Sequence, residues 1–177
     1  MQNTSRRELI KRLCLGASAT GLSGALMGCG FELRKPPHFV FKVLCISNLA
    51  GTPFGIELQR NLARVDDLEV ITDVRDIARA DLILDLMSMV REKVIIGRTS
   101  TGDIREFQLR EKLRFKVRNQ AGIEKIPEVE LVQYRDISFA ETVVLAKEME
   151  EELLYQNMQT DLIAQVMRQL AAIRRVN

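Results

Sequence analysis

Arg110, Lys112, Arg114, Lys116 and Arg118 occupy alternate positions of one run. On a β-strand, alternate residues share a face, so these five cations would form a row spaced by roughly 6.6–6.8 Å, twice the rise per residue. Such a row is a docking strip for phosphates or carboxylates. Arg91, Lys93 and Arg98 on the preceding run add basic groups near one end, and Arg91 is counted with the five as a candidate anion-binding residue. The competing reading is an ordinary solvated face, partly neutralised by glutamates on neighbouring strands.

Catalytic chemistry is hard to place. The single histidine, His38, follows Pro36-Pro37, and no ligand cluster accompanies it. There is no Gly-rich phosphate loop, zinc motif or nucleophile elbow. Glu148, Glu150, Glu151 and Glu152 are spread over consecutive positions of a helical pattern, where they point in different directions and suit a solvated helix start. The expectation is a protein without enzymatic activity, cofactor or metal.

Cys29 carries a different chemistry. Arg6, Arg7, Lys11 and Arg12 precede a small, apolar stretch from Leu13 to Met27, then Gly28 and Cys29. This is the layout of a cleavable export signal. Gly16, Gly21, Gly24 and Gly28 disfavour an ordinary helix, and the apolar stretch is too short to span a bilayer. Leu26-Met27-Gly28-Cys29 resembles the bacterial lipobox, whose cysteine is acylated and becomes the new N-terminus. Cys29 is therefore the expected lipidation site, bearing N-palmitoyl and S-diacylglycerol groups. Ser5-Arg6-Arg7-Glu8-Leu9-Ile10-Lys11 looks like a twin-arginine pattern, and a basic start to a general secretory signal reads equally well.

Removing residues 1–28 changes the charge balance. Of the 26 basic and 24 acidic residues, four and one lie in that segment, leaving 22 and 23, a formal charge of −1. A nucleic-acid partner is not expected of such a chain. Of the three cysteines, Cys14 leaves with the signal and Cys29 is acylated, so Cys45 alone remains, inside an apolar run. That excludes a disulfide framework. The organisation is a signal peptide over 1–28, a lipidated N-terminus and linker over 29–38, and one domain over 39–177.

The elements that would position the strip follow from periodicity. Phe39–Ile46 reads as a strand, Pro53–Arg64 as a helix and Glu69–Ile71 as a short extended piece. Residues 81–98 read as a second strand, parallel to the first through a βαβ unit. In the third, Phe107, Leu109, Leu113, Phe115 and Val117 take one face, interrupted by Glu111, and the cations take the other. Val129–Ile137 is a fourth strand, antiparallel to the third, and 142–174 is a long helix. The expected fold is α+β: two layers, a four-stranded mixed sheet with two helices on one face, in the order β-α-β-β-β-α.

Several segments then point one way. Cys29-Gly30-Phe31-Glu32-Leu33-Arg34, Phe54-Gly55-Ile56-Glu57-Leu58-Gln59-Arg60-Asn61-Leu62, Ala80-Asp81-Leu82-Ile83-Leu84, Gly102 to Leu109, Arg135 to Phe139, Leu145 to Tyr155 and Met158 to Leu162 stand in one order and spacing. Together they resemble the LptE family of lipopolysaccharide-assembly lipoproteins across nearly all of the chain after Cys29. The resemblance implies a lipoprotein on the periplasmic side of the outer membrane that plugs an LptD-type β-barrel, helps it assemble and binds lipopolysaccharide. Gly30 after the lipidated cysteine implies outer-membrane sorting. The alternative is a structural or pilot lipoprotein of another outer-membrane complex, with no glycolipid ligand.

Overall fold

The structure is a computed structural model that describes residues 38–138 and 144–174, with side-chain burial in the last helix described from Glu148. The expected signal peptide, Cys29 and most of the linker lie outside the described residues. The first strand, β1 (Val43–Asn48), leads through a 3-10 turn (Leu49–Gly51) into α1 (Pro53–Leu62). Thr52 caps this helix by accepting from the Gly55 amide at 3.2 Å, and Pro53 sits where a missing N–H costs nothing. Gly55 permits the tight approach of turn and helix, because a Cβ there would fall inside contact distance of the Leu49 and Ala50 carbonyls.

The chain continues through β2 (Glu69–Ile71), a 3-10 segment (Val74–Arg79), β3 (Leu82–Arg98), β4 (Ile104–Arg118), β5 (Glu124–Ser138) and α2 (Val144–Ala171). The sheet order is β2-β1-β3-β4-β5. β1 is parallel to β2 and β3, and the β3–β4 and β4–β5 pairs are antiparallel.

The sheet thus has five strands where four are expected. The addition is Glu69–Ile71, which pairs Val43 with Glu69, Leu44 with Val70 and Cys45 with Ile71. Three residues carry no periodicity, and their status as a strand depends on a partner on the far side of α1. β5 also begins earlier than Val129, running through Pro127. An edge strand tolerates a proline, and β4 shifts register nearby between Phe115 and Arg118. At the other end, Phe39 and Phe41 stack at 5.0 Å before the ladder of β1 starts.

Both long helices cover the same sheet face, as expected. Phe54, Leu58 and Leu62 of α1 join Leu162, Ile163, Val166 and Leu170 of α2 over Leu44, Ile46, Leu82, Leu84, Leu86, Leu113, Phe115 and Val117. Among the described residues the opposite face is covered only at the β1–β2 end, where Cys45, Ile71, Ala80 and Ile83 pack with Ile77 of the 3-10 segment. Cys45 is a free, buried thiol. A third cluster, Leu109, Ile137, Tyr155 and Met158, lies under the first half of α2.

Candidate functional site

Beyond the 3-10 segment, the sheet face away from the helices is open among the described residues, and β4 runs through it. Leu109, Leu113, Phe115 and Val117 are fully buried under the helices, which sends the even-numbered cations to the open side. Lys112 lies between Val90 of β3 and Val132 of β5, and Arg110 between Glu92 and Tyr134. Directly opposed residues share a face, so the two cations sit among exposed Val90, Val132 and Tyr134.

Four of the five strip cations have carboxylate partners. Lys112 Nζ meets Glu92 Oε1 at 2.8 Å, and Lys116 Nζ meets Glu124 Oε1 at 3.6 Å. Arg114 pairs with Glu128. Arg118 Nε donates to Asp85 Oδ2 at 2.7 Å. Asp85 is buried and also accepts from Ser47 Oγ at 2.5 Å, which ties β1, β3 and β4 together. Arg110 differs: its Nε donates to Gln108 Oε1 at 2.7 Å, and Gln108 in turn donates to Asp136 at 2.9 Å. Among the described residues Arg110 alone of the five carries no carboxylate ion pair.

Arg91 is not part of this row. β3 shifts register between Leu86 and Ser88. Before the shift, even-numbered residues such as Leu84 and Leu86 face the helices; after it, odd-numbered Met89 packs on that core. A single extra residue exchanges the two faces of a strand. Arg91 and Lys93 therefore point under α2, and Glu92 moves to the open side to meet Lys112. Arg98 lies at the hairpin tip, bonded to the Gly102 carbonyl at 3.0 Å.

Under α2, Arg91 Nε donates to Glu111 Oε1 at 3.0 Å, and its Nη1 donates to Glu152 Oε2 at 3.3 Å. Its guanidinium lies 4.6 Å from the centre of the Tyr155 ring. Lys93 Nζ meets Glu151 Oε2 at 2.5 Å and sits 4.6 Å over the Phe107 ring. So two residues of the acidic helix start are tied to the sheet, while Glu148 and Glu150 are exposed. Burial pushes the Glu111 carboxyl above its ordinary range, against the pull of Arg91. Burial and the nearby Glu151 push the Tyr155 hydroxyl up as well.

A groove of about 750 Å³ opens beside Arg91, between α1 and α2, with Phe54, Ile56 and Met89 in its wall. Among the described residues no cluster of His, Cys, Asp and Glu is arranged to hold a metal, and no helix is long and apolar enough to cross a membrane.

Sequence reasoning allowed for neutralising glutamates on neighbouring strands but did not say which ones; they are Glu92, Glu124 and Glu128, with Asp85 beside them. Glu128, Glu130, Val132 and Tyr134 alternate as strictly as the cations do, so period two was available as a signal for which residues share their face.

The family model described as LptE, lipopolysaccharide-assembly, matches residues 41–170. No curated protein sequence matches. Among solved structures, lipoprotein B from Nitrosomonas europaea is similar at 28% identity, covering 81% of this chain and 91% of its own, with a TM-score of 0.69. Rare lipoprotein B from Shewanella oneidensis shares the fold at 20% identity, covering 73% and 94%, with a TM-score of 0.60. A minor lipoprotein from Acinetobacter baumannii does so at 18%, covering 76% and 94%, with a TM-score of 0.59.

Proposed function

The chain belongs to the LptE family of lipopolysaccharide-assembly proteins, and from that premise we propose that it is a lipid-anchored, non-catalytic subunit of an outer-membrane lipopolysaccharide translocon. It is held on the periplasmic side through an acylated Cys29, occupies and helps assemble an LptD-type β-barrel, and contacts lipopolysaccharide as it passes. The observation that carries this reading is the family match over 41–170, which spans the whole sheet and most of α2.

The open face is the candidate glycolipid contact. Arg110, Lys112, Arg114, Lys116 and Arg118 supply cations for phosphates and acidic sugars, and Val90, Val132 and Tyr134 supply apolar surface beside them. The part-exposed ion pairs of Lys112, Arg114 and Lys116 are worth about 0–1 kcal/mol each, so a polyanion can exchange for their carboxylates at small cost, whereas Arg118 is held by the buried Asp85. Arg110 requires no such exchange. Arg91 acts differently, from beneath α2 at the groove rim.

The pairing of four strip cations also favours a second reading, a structural lipoprotein of another outer-membrane complex whose ladder of ion pairs stiffens the sheet and binds no glycolipid. Affinity purification from membranes in mild detergent separates the two. Recovery of a large β-barrel of the LptD type together with lipopolysaccharide supports the first reading, and recovery of neither supports the second.

A further inference from the structure

The helix α2 is attached to the sheet in two dissimilar ways. Its second half is anchored by Leu162, Ile163, Val166 and Leu170 in the main core. Its first half rests on a small cluster, Tyr155 and Met158 against Leu109 and Ile137, on the Tyr155 hydroxyl, which donates to the Glu92 carbonyl at 3.1 Å, and on ion pairs from Arg91 and Lys93 to Glu152 and Glu151. Segments with few apolar contacts open at lower free energy than the core does.

Glu111 sits beneath that first half. It is fully buried, and its Oε2 has no hydrogen-bond partner among the described residues. A buried carboxylate with one oxygen unsatisfied is costly, and native structures hold few such groups. The groups that face it are Arg91 from β3, Gln133 of β5 with Arg135 bonded to it, and Glu152 and Tyr155 from α2, with Glu151 beside Tyr155 and tied to Lys93. Among the described residues Arg91 alone donates to the Glu111 carboxylate, and Glu152 draws on the same guanidinium.

We propose that Glu111 is a built-in release for the first half of α2: its ionised, half-satisfied carboxylate disfavours the closed position, and lifting residues 148–158 admits water to it. The second half stays seated. Opening separates Arg91 and Lys93 from Glu152 and Glu151 and uncovers the Leu109–Ile137 cluster.

The direction with pH follows from linkage. Burial raises the closed-state carboxyl, so the closed helix binds the proton more tightly than the open one. Closure is therefore favoured at low pH and weakens as pH rises through the raised value. Within the window above the ordinary value of about 4.3, the opening equilibrium rises by up to about tenfold per pH unit and then levels off. Variants are compared at matched pH.

Amide hydrogen exchange on the full mature chain, corrected for intrinsic rates, tests this. Glu111→Gln keeps the shape and an acceptor for Arg91 but cannot ionise. It should raise protection of residues 148–158 at neutral pH several-fold, remove the Glu111 part of the pH slope, and leave 162–171 unchanged. Unchanged or lowered protection in 148–158 overturns the proposal. So does a Glu111→Gln chain that fails to fold, since the carboxylate would then be a support rather than a cost. Glu152→Gln should lower protection of 148–158 alone, and an equal loss in both halves overturns the division of the helix.

Discussion

Two arginines in the same row should respond to truncation in opposite ways. Arg118 donates at 2.7 Å to Asp85 of β3, whose buried side chain lies between β1 and β4 and also accepts from Ser47. Arg118→Ala leaves Asp85 Oδ2 without its charged donor. A buried acceptor deprived of its partner costs about 1–3 kcal/mol. For a domain of this size each kcal/mol moves the melting temperature by roughly 2–4 °C. The expected fall is therefore roughly 2–12 °C. Among the described residues Arg110 is bonded only to Gln108 on the open face, so Arg110→Ala should stay within about 0.5 kcal/mol of the parent. Binding should run the other way. With no carboxylate to displace, Arg110 is the strip cation most available to a lipopolysaccharide phosphate, and its loss should weaken binding more than the loss of Arg118. Urea unfolding followed by circular dichroism reads the first quantity, and lipopolysaccharide titration at low salt reads the second. Stability loss at Arg110 with none at Arg118 would refute the pairing scheme. Equal binding loss at both positions would refute the argument that resident carboxylates grade the strip.

Gly55→Ala places a Cβ against the Leu49 and Ala50 carbonyls and should destabilise the domain by about 1–3 kcal/mol through overpacking, read as a lowered melting temperature. Glu111→Gln should raise the urea midpoint at pH 7. The folded-state carboxyl is raised by burial, so its contribution is fully present below the ordinary value near 4.3 and is lost as pH rises through the raised one; the gain over the parent should shrink towards acid. Cys29→Ala should move the protein from the membrane to the soluble fraction on cell fractionation, because no acyl chains can then be attached.

Much of this architecture was legible from periodicity. The alternation from Phe107 to Arg118 assigned β4 and divided it correctly into a buried and an open face, including the misfit of Glu111 among the apolar positions. Such a pattern is local, since the pleat alone sends neighbours to opposite sides. The spacing of Leu154, Met158, Leu162, Val166 and Leu170 assigned α2 in the same way, and Met158, Leu162, Val166 and Leu170 are fully buried. The collinear segments were enough to indicate the family.

What escaped the sequence depended on partners distant along the chain. β2 is a strand because β1 lies beside it, and three residues cannot announce that. Arg91 would share a face with Asp85 on an unbroken strand, and one register shift after Leu86 turns it under α2. The strip's charges are balanced by Glu92, Glu124, Glu128 and Asp85, which come from two other strands. Residue order by itself determined which side chains alternate, which stretches coil and which family the chain resembles, because each depends on neighbours in sequence. Tertiary structure alone decided which cations are already paired and which carboxylate is buried under a helix, because strand register brings those charges together.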